Sequence, residues 1–378
     1  MTAGTSRVVG TSVAATISTV FPGFLIGALS VQVGDELQVS DARYGWLLGT
    51  FFLVAAAGSR VTGLTVQRFG PRRQISVALV TTAIVQVVIA TAVDSFTGLL
   101  VALGIAGLAN AANQTAVNLA LTRAELPRLG LAIAIKQSGM PTASMLSGLA
   151  VPAIALTVGW RWAYVGGAVV ACSALFLVWR EIEPAAIVRR ASTDVVSSRR
   201  SLRIAAIAGF FLAFGAGSLN AWTVESGVDA GLGEGTAGLM LSVGAASGIA
   251  LRLFSGTRVD TMKSRPFLVA GSTVLVGALG MALLSSRSSG VHIVATVVAF
   301  AGGWIWPVFT NFGIMRTNKE AAGAASGVTQ TGVYVGVFVA PILTGWLLDT
   351  RGFATMWTVV AASVVVGAAA ALAVARDF

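Results

Sequence analysis

The chain has 378 residues, 56% of them hydrophobic and only 11% charged, with a mean hydropathy of +0.84. So little charge, against about 25% in soluble domains, excludes a water-soluble globular protein, and so many large apolar residues exclude a disordered chain. The net charge of +10 would suggest nucleic acid in a soluble protein, but here the arginines lie between apolar runs and act as topology signals.

A helix needs about 20 apolar residues to cross the hydrocarbon core, and twelve such runs follow one another along the chain. Spans 1 to 6 cover about 8–33, 44–66, 74–93, 97–122, 129–157 and 160–180. Spans 7 to 12 cover about 202–226, 236–258, 266–286, 291–315, 321–348 and 353–375. The reading is an all-α polytopic membrane protein. Only Arg7 precedes the first run, which is too long for a signal-peptide core and reads as a retained span. Cys172 is the single cysteine, so no internal disulfide is expected.

The connections alternate in charge. One set carries Arg68, Arg72 and Arg73, then Arg123 and Arg128, the Arg180–Arg203 segment, Arg258, Lys263 and Arg265, and finally Arg316 and Lys319. The other carries Asp35, Glu36, Asp41, Asp94, Glu225, Asp229 and Glu234, with Arg43, Arg161, Arg287 and Arg351 as its basic members. The positive-inside rule therefore places both termini in the cytoplasm, and the expected location is the cytoplasmic membrane. The long Arg180–Arg203 connection, interrupted by Pro184, Ser192, Ser197 and Ser198, reads as a tether. It divides the chain into an N-terminal six-helix bundle (1–180), a cytoplasmic linker (181–203) and a C-terminal six-helix bundle (204–378).

An internal repeat runs at a constant offset of 193 positions. It carries Gly63, Gln67 and Arg72 onto Gly256, Asp260 and Arg265, and Asn118 onto Asn311. It also carries Gln137–Ser138–Gly139 onto Gln330–Thr331–Gly332, and Gly159–Trp160 onto Gly352–Phe353. Several matches at one offset indicate two homologous halves.

The loop GLTVQRFGPRR after span 2, with Gly63, Gln67, Arg68, Gly70, Arg72 and Arg73, resembles the signature loop of the major facilitator superfamily. GTRVDTMKSR after span 8, with Asp260 and Arg265, is its weaker copy, and the layout of six plus six spans completes the resemblance. The resemblance implies a pseudo-symmetric pair of bundles and alternating access around a midplane site. It also implies that spans 1, 4, 7 and 10 line the cavity while 2, 5, 8 and 11 flank it. Family members usually carry an acid where Gln67 stands, thought to help lock the outward-facing state; here only Asp260 retains it.

Three cations lie inside apolar runs: Arg60, Lys136 and Arg252. At about 1.5 Å per residue, Arg60 is about 10 Å and the other two about 12 Å from the expected cytoplasmic end, so all three could occupy one layer. Snorkelling to the interface competes as an explanation, most strongly for Arg60. It is weaker for Arg252, whose neighbours at helical spacing are Gly244, Gly248 and Gly256. No acid lies near the middle of a span, so an anionic substrate is expected to supply the balancing charge. Gln137, Gln330, Asn113, Asn118, Asn220, Trp222, Trp304, Trp306, Asn311 and Tyr334 are the expected polar and aromatic remainder of the site. Pro141, Pro152, Pro307 and Pro341 are expected to mark bends.

The expected function is secondary transport of a small organic or inorganic anion, with a carboxylate foremost. Proton-coupled efflux of drug-like compounds is the alternative, and a non-transporting sensor, which would be expected to carry a soluble output domain, a weaker one. No phosphate-binding loop supports ATP-driven transport, and one histidine, His292, with no paired intramembrane carboxylates, argues against an enzyme. No cofactor, metal or nucleic-acid partner is expected. The expected partners are the substrate, the lipid bilayer and, where coupling requires them, protons; a monomer is expected.

Overall fold

The computed structural model describes residues 3–123, 129–182, 197–262, 265–318 and 322–378. Every regular element among them is helical. Span 1 is Ala3–Ala28, followed by a short helix, Ser30–Leu37, that lies outside it. Spans 2, 3 and 4 are Asp41–Phe69, Pro71–Ala92 and Phe96–Arg123. Span 5 is interrupted: Leu129–Gln137 and Gly139–Ala150 meet at Ser138, and a π-turn, Val151–Ala155, surrounds Pro152. Spans 6 to 9 are Arg161–Glu181, Arg199–Asp229, Glu234–Val259 and Pro266–Leu283. Span 10 is broken into Ser289–Gly303 and Trp306–Thr317.

Among the described residues, ten helices are long and apolar enough to cross a membrane, and the bent pair Asp41–Ser59 and Val61–Phe69 adds an eleventh. The longest, Ala322–Ala373, is two helices merged across Gly352, whose φ of 75° ends one and begins the other. Its 52 residues, at about 1.5 Å each, would otherwise span more than twice the hydrocarbon core. Spans 11 and 12 are its two parts. Most of the expected linker (183–196) lies outside the described residues, and span 7 starts at Arg199, slightly earlier than expected.

The helices pack as membrane helices do. Span 3 buries Ile75, Leu79, Thr82, Gln86 and Ile89, at alternating spacings of four and three. Its opposite face exposes Val77, Val80, Ile84, Val87 and Val88. An outward face more apolar than the inward one requires lipid, not water. Helix crossings are built on glycine, which lets backbones approach where lipid gives no hydrophobic drive to association.

Both termini gather on one face of the bundle. Arg7 pairs with Glu181 at 3.8 Å, Ser201 donates to Asp377 at 2.6 Å, and Arg316 donates to the Phe378 carbonyl at 3.3 Å. This is the terminal face; the ends of spans 1, 7 and 11 opposite it form the distal face.

The offset of 193 reappears as geometry. Gln38 and Gly231 both have positive φ (49° and 90°), as do Gly159 and Gly352 (103° and 75°), and each pair is 193 apart. Gly139 packs on Val13 and Thr16 of span 1, and its equivalent Gly332 on Ala206 of span 7, the residue equivalent to Val13. Across the halves, Gly45 of span 2 lies against Pro341 of span 11, and the equivalent Gly238 of span 8 against Gly148 of span 5. The fold is two pseudo-symmetric bundles that meet along spans 2 with 11 and spans 5 with 8, and also where span 1 lies against span 7.

Candidate functional site

Two prolines create the site's most unusual feature. Proline has no N–H, so the carbonyl four residues earlier loses its helical partner. Pro141 thereby orphans the carbonyl of Gln137, where span 5 is interrupted. In span 10 the break before Pro307 has a similar effect on Trp304, because the Val308 N–H turns to Ile305 instead, at 3.2 Å. A buried carbonyl without a donor is costly.

Arg252 supplies the missing donors. Its Nε and Nη2 both donate to the Trp304 carbonyl, the former at 2.7 Å, and its Nη1 donates to the Gln137 carbonyl. The guanidinium also lies 5.7 Å from the Trp304 ring centroid. Arg252 is 4% exposed, which rules out snorkelling to the interface. The expected glycine face holds it in place: Gly244 and Gly248 pack on Phe300 of span 10, and Gly256 on Ala134 of span 5. Carbonyl dipoles face this charge, and no carboxylate among the described residues pairs with it.

Lys136 ends the first segment of span 5, next to Gln137. It is half-buried and has no hydrogen-bond or ion-pair partner among the described residues. The side chain of Arg60 lies outside the described residues, although its backbone belongs to span 2.

The polar residues separate into groups. Asn220 is buried; its Oδ1 accepts from Ser144 of the other half at 2.7 Å, and its Nδ2 is unpartnered. Asn311 and Gln330 line a cavity of about 20 Å³ within the C-terminal half, with Trp306 and Thr310. That volume suits about one water. Tyr334 meets Ser59 across the crossing of spans 2 and 11. Asn118 is exposed on span 4, away from the buried Asn113, which donates to Thr19 at 3.0 Å. Trp222 is a core residue: it is 1% exposed, its indole donates to Thr344 at 2.7 Å, and its ring packs on Tyr44. Trp222 is therefore not gathered with the cations.

On the terminal face the signature loop turns at Gly70, whose φ of 79° lets span 2 end and Pro71 begin span 3. Arg72 donates to the Trp179 carbonyl at 2.7 Å and lies over its ring. Arg68 lies beside Phe69, while Gln67 and Arg73 are exposed. Gly63 has open space around it, unlike its equivalent Gly256. Asp260 caps span 8 and Arg265 precedes span 9, both exposed; Lys263 lies outside the described residues. The residue that ties this region together is one the sequence reading passed over. Gln74, 7% exposed, donates to the carbonyls of Thr62 and Ala112 and to the Thr115 hydroxyl, all within 3.0 Å, and accepts from Thr65 at 2.8 Å.

On the distal face an acidic vestibule of about 570 Å³ is lined by Asp35, Asp41, Glu225 and Asp229, with Ser30 and Tyr44. Asp349 of span 11 accepts from the N–H groups of Asp41 and Ala42 at 3.0 and 3.2 Å, capping span 2 of the other half. Gln32 likewise donates to Glu234, at the start of span 8.

The sequence profile described as Major Facilitator Superfamily matches residues 11–341. The chain is 26% identical over 366 residues to a protein of Bacillus subtilis (strain 168) named "Uncharacterized transporter YycB", covering 91% of this chain and 87% of that one. Its fold is similar to that of a bacterial homologue of the human lysosomal transporter Spinster, solved in an inward-facing and unoccupied conformation. The TM-score is 0.75 at 14% identity, with 100% of this chain and 98% of that chain covered. The chain belongs to the Major Facilitator Superfamily, and the protein is a multi-pass membrane transporter, not an enzyme.

Proposed function

We propose that this member of the Major Facilitator Superfamily carries a small organic or inorganic anion, a carboxylate foremost, through a site at the level of Lys136 and Arg252. The observation that carries the reading is that neither cation has a carboxylate partner among the described residues. Lys136 offers an uncommitted point charge. Arg252 has five N–H donors, and the two carbonyls take three, leaving two for a ligand. Arg60, Gln137, Gln330, Asn118, Asn220, Asn311, Trp304 and Tyr334 complete the proposed site, with Trp222 as packing behind it. Gly63, Gln67, Arg68, Gly70, Arg72, Arg73, Asp260 and Arg265 are proposed to govern the conformational change. The proposed orientation, from the basic loops, has the terminal face in the cytoplasm.

One feature favours a second reading, proton-coupled efflux of cationic or apolar compounds. The distal vestibule is acidic, and Glu225 and Asp41 hydrogen-bond to one another within it, as carboxyl pairs do when they share a proton.

A ligand-induced melting-shift screen separates the two. Binding at 100 times Kd stabilises the folded state by about 2.7 kcal/mol. One class of carboxylate or inorganic anion should raise the melting temperature of the parent, and Lys136→Gln should reduce that shift. Stabilisation by cationic compounds alone, unchanged in Lys136→Gln, would overturn the anion reading.

A further inference from the structure

Of Arg252's three hydrogen bonds, two stay within the C-terminal half, on Trp304, and one crosses to Gln137 in the N-terminal half. The crossing bond lies on the seam between spans 5 and 8, one turn from the packing of Gly256 on Ala134. We propose that Arg252 is a positioning residue that latches this seam: the Trp304 carbonyl holds the guanidinium in place, and its bond to the Pro141-orphaned Gln137 carbonyl fastens the halves until the seam opens.

The chemistry of the two carbonyls sets this division. Trp304 accepts two N–H groups from one guanidinium, a two-pronged attachment that fixes the side chain to span 10. Gln137 accepts one, and its carbonyl moves with the other bundle. Alternating access rocks one bundle against the other, so this single bond must break whenever the two spans separate. Because Pro141 denies the carbonyl a helical donor, the closed seam is where it finds its best partner.

Among the described residues, this arrangement of a guanidinium on a released carbonyl is found on one seam. At the repeat-related crossing of spans 2 and 11, Ser59 occupies the position equivalent to Arg252, and it donates to Ala55 of its own helix at 2.6 Å. Its contact across the halves is with the hydroxyl of Tyr334, a neutral pair. At these equivalent positions the two seams are therefore built from different chemistry.

The proposal rests on movement between the halves, not on the charge of the substrate, and its test needs no substrate. Ser255 lies on the same face as Arg252 and Gly256 and is buried. In a Cys172→Ala background, the rate at which N-ethylmaleimide alkylates Ser255→Cys reports opening of the seam. Arg252→Gln should raise that rate about tenfold, the scale of one charge-assisted hydrogen bond, and Arg252→Lys should restore part of the protection. Pro141→Ala returns a helical donor to Gln137, which then has less to gain from the guanidinium, so it too should raise the rate. Adding Arg252→Gln to Pro141→Ala should give less than the product of the two effects, because both act through one bond. Alkylation of Arg252→Gln at the parent rate, even with a lowered melting temperature, would make the guanidinium a staple within one half and overturn the proposal. Fully multiplicative effects would overturn it as well. Should Arg252→Gln not fold, Pro141→Ala decides alone, and the parent rate there refutes the latch.

Discussion

Gly27 and Asn220 are separated by 193 positions in the chain and lie against one another in the fold: a Cβ on Gly27 would come within 2.5 Å of the Asn220 carbonyl oxygen. A residue touching its own repeat equivalent marks where the pseudo-two-fold axis passes between spans 1 and 7. The obstacle there is backbone, which cannot turn aside as a side chain can. Gly27→Ala should therefore wedge the distal ends of the halves apart, at the roughly 1–3 kcal/mol usual for overpacking. Double electron–electron resonance between spin labels at Ser95 and Ser288 should show a larger population of long distances than in the parent. An unchanged distribution would mean that the axis contact does not limit distal closure.

The axis was legible in advance because a repeat writes the same residues twice, and the spans were legible because membrane crossing depends on local composition. Arg252 shows where that legibility ends. Its burial and its glycine face could be read from neighbours in the same helix, and Pro141 and Pro307 could be read as breaks. That the guanidinium meets the carbonyls those breaks release could not, because Gln137 and Trp304 are distant in sequence and a backbone acceptor leaves no residue-type signal. Gln74 was hidden differently: a glutamine beside a basic loop reads as interfacial until three spans are seen to converge on it. Trp222 illustrates the converse: its residue type suggests a cavity wall, while in the fold its indole N–H is taken by Thr344.

Asp349 should also support distal closure. Its carboxylate holds two N–H groups at the start of span 2 in the opposite half. Removing an N-terminal cap costs about 0.5–2 kcal/mol; here the cap closes the distal face, so Asp349→Ala should lengthen the Ser95–Ser288 distance distribution. Asp349→Asn keeps an acceptor and should shift it less. Equal shifts from both substitutions would point to charge, not capping, as the cause.

Gln74 makes a prediction about the signature loop. Gln74→Leu removes its bonds to spans 2 and 4 and leaves buried groups unsatisfied, at about 1–3 kcal/mol. Gln74→Glu should be worse near neutral pH, because a carboxylate cannot donate to the Thr62 and Ala112 carbonyls and is repelled by them. The melting temperatures should fall in the order parent, Gln74→Leu, Gln74→Glu. If Gln74→Glu is the more stable of the two variants, the donor role assigned to the amide is wrong.

The distal end of the N-terminal half should carry a measurable pH dependence through Glu36, which lies outside the spans. Its carboxylate accepts from the Trp160 indole at 2.7 Å and from Arg161 at 2.6 Å, and Arg161 also holds Asp94 at 2.8 Å. The indole hydrogen bond foremost, and then Arg161, hold Glu36 below its ordinary value of 4.5 against a partial offset from burial. A carboxylate whose folded value is depressed stabilises the fold above its unfolded value, and that contribution disappears as pH falls through the folded value. The melting temperature of the parent should therefore decline as pH is lowered below about 5. Glu36→Gln should melt lower than the parent at neutral pH and lose less on acidification. Trp160→Phe removes the larger influence and brings the folded value back toward 4.5, so it too should lose less than the parent on acidification. Melting curves for these three proteins across pH 3 to 7 check the assignment, and parallel curves for parent and Glu36→Gln throughout would refute it.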